Sequence, residues 1–143
     1  MSEQIKILIV EDNAGDTELV VRELYRAGFD AHWLRVDTEA DYLANLSPDL
    51  DLILSDCDMP QFGSLRALEL LKQRRLEIPF IIVSGDTGVE TAVKTMEQGA
   101  TDYLLKERIS RLGPVVHRAM KKIPGYAGRM RPEQELTDGT ENL

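Results

Sequence analysis

Short apolar, β-branched runs alternate in this sequence with segments whose apolar residues recur every three or four places. The runs at 5–10, 31–36, 50–55, 80–84 and 102–105 read as β-strands. Three of them are nearly continuous apolar stretches, the pattern of strands covered on both faces. Leu19, Val20, Leu24 and Ala27 follow the first run at helical spacing, Leu65, Leu68 and Leu71 the third, and Val89, Ala92, Val93 and Met96 the fourth. After the last run, Ile109, Leu112, Val115, Val116, Ala119 and Met120 predict one final amphipathic helix. Gly28 and Gly99 fall where a helix C-terminus needs a residue that tolerates positive φ. A fivefold βα alternation implies an α/β fold, a doubly wound parallel sheet with helices on both faces and right-handed crossovers. From Pro124 onward glycine, proline and scattered charges replace the periodic apolar positions, which predicts one domain over 1–123 and a flexible tail or truncated linker over 124–143.

Composition narrows the function classes. A chain of 143 residues with 43% apolar and 29% charged residues has the size of one globular domain. Its single cysteine, Cys57, excludes an internal disulfide framework and fits a reducing compartment. Seventeen basic against twenty-five acidic residues give a formal charge of -8, which disfavours nucleic-acid binding. The apolar runs fall far short of the ~18 residues of a membrane span. The N-terminus lacks the basic and apolar stretches of a signal peptide, so a cytoplasmic protein without membrane attachment is expected.

In an open α/β sheet, ligands bind outside the carboxyl ends of the strands, where the strand order reverses. The predicted strands end there in Glu11 and Asp12, in Asp56 with Asp58 just beyond, in Ser84, and in Lys106. Taken singly, each fits a helix cap, a turn residue or a surface charge. Together, at the ends of different strands, they form a constellation. Carboxylates crowded at one edge repel each other and raise at least one pKa unless a cation compensates. Oxygen-only ligands in that number suit Mg²⁺, which keeps several waters and accepts a phosphate oxygen. Cys57, between Asp56 and Asp58 in sequence, is expected to point away from them, which leaves no zinc-type ligand at the rim.

The segments ILIVEDN (7–13), LILSDCDMP (52–60), FIIVSG (80–85) and GATDYLLK (99–106) resemble, in this order, the response-regulator receiver domain of two-component signalling, the CheY-like family. The resemblance extends from residue 5 to about 122. It implies a flavodoxin-like sheet of order 2-1-3-4-5. It also implies that Asp56 accepts a phosphoryl group from a sensor histidine kinase or phosphotransfer protein and forms an acyl phosphate. Glu11, Asp12, Asp56 and the backbone carbonyl of Asp58 would hold Mg²⁺, Lys106 would neutralise charge on the transferring group, and Ser84 would hydrogen-bond the new phosphoryl oxygen. Tyr103 stands at the family's aromatic switch position. Ser84 and Tyr103 would together remodel a surface read by a downstream output domain or protein, with a phosphorylation-dependent dimer as one possible output.

Some positions depart from the family pattern. Glu107 replaces the proline that often follows the lysine, sometimes through a cis bond, and a cis bond before a non-proline residue costs ~2.5 to 4 kcal/mol. Ser84 replaces the usual threonine and keeps its hydroxyl. Asp58 and Asp86 occupy positions at which the family tunes spontaneous dephosphorylation. The loop at 60–64 lacks the common wording; together with SGDTG (84–88) and KERISRL (106–112) it is similar to receivers fused to PAS domains, histidine kinases or cyclic-di-nucleotide output modules. Two other function classes compete: an aspartyl-phosphate phosphatase, suggested by the Asp56–Asp58 spacing, and a degenerate, phosphorylation-independent interaction module. The expectation is a signalling switch and not a turnover enzyme.

Overall fold

The computed structural model describes residues 3–57, 59–85 and 89–123. Five strands, β1 (Glu3–Val10), β2 (Phe29–Val36), β3 (Leu52–Asp56), β4 (Phe80–Ser84) and β5 (Asp102–Leu105), form one parallel sheet of order β2-β1-β3-β4-β5. Five helices connect or follow them: α1 (Ala14–Arg26), α2 (Glu39–Asn45), α3 (Ser64–Gln73), α4 (Val89–Glu97) and α5 (Leu112–Met120). This is the expected doubly wound architecture, with the strand order reversing between β1 and β3. Their register pairs Val10 with Ser55, so Glu11 and Asp56 leave the sheet side by side at its carboxyl edge.

Alternation along the strands sorts the apolar side chains into two cores. Ile5, Ile7, Ile9, Leu52, Leu54 and Ile81 pack with Val20 and Leu24 of α1 and with Val116 and Met120 of α5. Leu8, Val10, Ile53, Phe80 and Ile82 pack on the other face with Tyr42 of α2, Leu68 and Leu71 of α3, and Ala92 of α4. Burying both faces explains why β3 and β4 are apolar almost throughout and end in the polar pair Asp56 and Ser84. Gly28 and Gly99 have φ of 95° and 115°, the conformation expected of them at the ends of α1 and α4.

The structure moves several boundaries and adds one helix: β1 begins at Glu3 and β2 at Phe29, each two residues before the predicted start, and β3 ends at Asp56. β3 begins at Leu52 and not at residue 50, because Leu50 N–H closes a turn onto the Ser47 carbonyl (3.1 Å). The predicted last helix is split: Lys106–Arg111 form a 3-10 segment, Arg108 is non-helical, and α5 starts at Leu112. Pro114 is the cause. It lacks an N–H, and its ring would strike the carbonyl four residues back, so a helix can hold it only in its first turn. The added helix is α2, which has too few apolar positions for its period to stand out; Thr38 caps it by accepting the Asp41 N–H (3.1 Å). The predicted tail over 124–143 lies outside the described residues. Among those described, no helix is long and apolar enough to cross a membrane.

Candidate functional site

The carboxyl edge of β1 continues into Glu11, whose N–H still bonds the Val36 carbonyl (3.0 Å) and so keeps the residue in line with the sheet. Its side chain is buried and accepts the Asn13 N–H through Oε2 (3.1 Å). Asn13 in turn caps α1, its Oδ1 accepting the Asp16 N–H (2.9 Å). A single tight link therefore sets the positions of Glu11, the exposed Asp12 and the first turn of α1. Asp56 closes β3 and is buried, with 5% of its surface exposed.

Glu11, Asp12 and Asp56 each present a ligand atom within 4.8 Å of the others. Facing them from the end of β5, the Lys106 ammonium donates to Asp16 Oδ2 (2.8 Å) and Asp56 Oδ2 (3.2 Å), and its Nζ lies 3.4 Å from Glu11 Oε1. Burial, and then the neighbouring Asp56 charge, raises the Glu11 carboxyl to about 8 against the pull of Lys106. Burial works against the Lys106 ammonium, but the Asp16 hydrogen bond and the charges of Glu11 and Asp56 outweigh it and hold its pKa above the ordinary lysine value.

One ammonium does not satisfy this set. Burial first, and the neighbouring Asp56 charge second, leave the Glu11 carboxylate costly to ionise, and a hard divalent cation on the Glu11, Asp12 and Asp56 oxygens would offset both. The donor set therefore suits a hard divalent cation.

Ser84 ends β4, one place past Val83, which is paired in register with Asp56. Its hydroxyl is fully buried and donates to the Gly85 carbonyl (2.8 Å). Tyr103, in contrast, stands on β5 with 40% of its surface exposed, beside a groove that Arg108, Arg111 and Arg118 also line. Cys57 is buried in the core packed against α3, in keeping with its expected orientation. The Lys106–Glu107 peptide is trans. Asp58 and Asp86 lie outside the described residues.

Sequence reasoning thus located Glu11, Asp12, Asp56 and Lys106, and the fold brings these four together. It missed Asp16, the nearest carboxylate to Lys106. Asp16 sits on a helix and not at a strand end. The signal that could have revealed it is the Asn13 cap, which aims the first turn of α1 at the same edge.

Comparison with known proteins places this arrangement. The family model of the response regulator receiver domain matches residues 7–113. The cell cycle transcriptional regulator CtrA of Caulobacter vibrioides is 30% identical over 120 residues, which cover 80% of this chain and 52% of that protein. The chain spans about half the length of the curated relatives it matches. Among solved structures, the receiver domain of NtrX from Brucella abortus is similar with a TM-score of 0.70 at 27% identity, covering 82% of this chain and 99% of the other. A receiver domain protein from Clostridium thermocellum shares the fold with a TM-score of 0.70 at 21% identity, over 82% of this chain and 95% of its own.

Proposed function

The chain belongs to the response regulator receiver domain family, and from that premise we propose that Asp56 is a phosphoacceptor whose modification switches a partner-binding surface. The observation that carries the reading is the buried Asp56 carboxylate with Lys106 Nζ at 3.2 Å and two further carboxylates within 4.8 Å. An Asp56 oxygen attacks phosphorus, the bond from phosphorus to the donor's imidazole nitrogen breaks, and the electron pair leaves with the imidazole. Lys106 stands ready to neutralise an equatorial oxygen, and the rigid strand ends hold it there, so rate enhancement comes mainly from electrostatic positioning. Glu11, Asp12 and Asp56 would hold Mg²⁺ together with the Asp58 carbonyl; when bound, the cation supplies the positive charge that the acyl phosphate requires.

After transfer, the Ser84 hydroxyl exchanges its Gly85 carbonyl for a phosphoryl oxygen. Its movement frees space at the end of β4, and the ring of Tyr103 on the adjacent β5 responds. A sensor histidine kinase or phosphotransfer protein supplies the phosphoryl group, and an output domain or protein in the cytoplasm reads the altered face. Its influence is bounded by its differential affinity for the two states.

Acetyl phosphate with Mg²⁺ tests the reading by intact-protein mass. Wild type gains one phosphoryl group, Asp56→Asn gains none, and Lys106→Ala stays folded but binds its partner without regard to phosphorylation. Rapid turnover of ordinary phosphomonoesters would favour a phosphatase instead. A wild type that is never modified would leave a phosphorylation-independent interaction module.

A further inference from the structure

We propose that Asp16 is the resting partner of Lys106, a positioning carboxylate that holds the ammonium before phosphorylation and competes with the phosphoryl group for it afterwards. This rests on Asp56 being the phosphoacceptor. Lys106 reaches three carboxylates, and the shortest contact, 2.8 Å, is to Asp16, against 3.2 Å to Asp56 and 3.4 Å to Glu11. Asp16 alone of the three stands outside the cluster of oxygens suited to a cation. When a cation takes Glu11 and Asp56, their charge is shared with it, and Asp16 remains the carboxylate with its full charge directed at the ammonium.

The geometry also limits where Lys106 can go. Lys106 lines one small crevice together with Glu11, Asp16, Leu19, Val20, Val83 and Ile109, and its ammonium is tied there to three carboxylates at once. The Asn13 cap fixes the backbone of Asp16 at the third position of α1, which places its carboxylate beside that crevice. An acyl phosphate on Asp56 must therefore draw the ammonium from a fixed competitor. Asp16 in this way sets how much phosphoryl charge is needed before the switch engages, and it does so through Lys106 without touching the phosphoryl group.

Beryllofluoride, as a non-hydrolysed mimic of the acyl phosphate, tests this at fixed Mg²⁺, with binding followed by NMR in wild type, Asp16→Asn, Glu18→Gln and Lys106→Ala, and in the Lys106→Ala/Asp16→Asn double variant. Asp16→Asn should lower the half-saturating concentration roughly two- to fivefold, the range of a partly exposed ion pair. The same substitution should have no effect once Lys106 is alanine. Glu18→Gln removes another exposed charge of α1 and should leave half-saturation unchanged. An unchanged or weakened adduct in Asp16→Asn, or an equal gain in the Lys106→Ala background, overturns the proposal and leaves the phosphoacceptor reading intact. A wild type that takes no adduct, with Asp56→Asn indistinguishable from it, overturns the phosphoacceptor reading itself. A second readout needs neither metal nor adduct: the Nζ protons of Lys106 in ¹⁵N-lysine-labelled, metal-free protein should exchange with water faster in Asp16→Asn. Equal exchange rates would overturn the resting pair.

Discussion

Glu11 lies buried beside Asp56, so losing its proton places a second negative charge in a site with little water, and its carboxyl stays protonated up to about 8. In the metal-free protein the folded value is raised, so the contribution of Glu11 to stability is complete below the unfolded glutamate range and is lost as the pH rises through about 8. A cation needs the carboxylate and competes with that proton. Calorimetric titration should therefore show Mg²⁺ affinity rising roughly tenfold per pH unit below pH 8 and levelling off above it. Glu11→Gln should bind more weakly with no such slope; an equal slope in that variant would assign the proton elsewhere. At this scale the strand-terminal acids and Lys106 were legible, because a change from apolar to charged marks where a buried strand leaves the sheet. The closeness of Asp16 to Lys106 was not, because the two are 90 residues apart and meet through the packing of α1 against the 3-10 segment that follows β5.

Between elements, α5 comes close to the C-terminal end of α1 at Gly113. A Cβ built on Gly113 would lie 2.6 Å from the Ala27 Cβ, a methyl group with no rotamer to escape through. Gly113→Ala should accordingly destabilise the fold by about 1 to 3 kcal/mol, measured by urea denaturation, as overpacking of a fixed contact does. A variant as stable as wild type would mean that α5 slides freely. The same segment shows how far periodicity carries. Apolar spacing alone joined residue 109 to residue 120, whereas Pro114 confines the α-helix to its C-terminal part and leaves Lys106–Arg111 as a 3-10 segment. For Lys106 this matters directly: it is the first residue of that tight segment, and its backbone is fixed by β5 on one side and by the turn on the other. α2 illustrates the converse, a helix of 7 residues with one buried side chain, Tyr42, secured by its cap more than by its period.

Across the whole molecule, two cores on opposite faces of one sheet depend on the same five strands, so they should unfold in one transition. A ligand held only by the folded carboxyl edge stabilises all of it. Beryllofluoride with Mg²⁺ at about a hundred times its dissociation constant should raise the unfolding free energy of wild type by about 2.7 kcal/mol, and Asp56→Asn should gain nothing from it. A gain shared by both would place the anion elsewhere. The alternation of β-runs and amphipathic stretches specified the parallel, doubly wound sheet, because burial on both faces of a strand and on one face of a helix leaves a local imprint in residue order. That imprint extends to the polar residues at each strand's carboxyl end. It does not contain distance. Register between β1 and β3, the cap that aims α1 and the proline that delays α5 together bring residues 11, 16, 56 and 106 to one point. Electrostatic coupling depends on that separation in space, which exists only once the chain has folded.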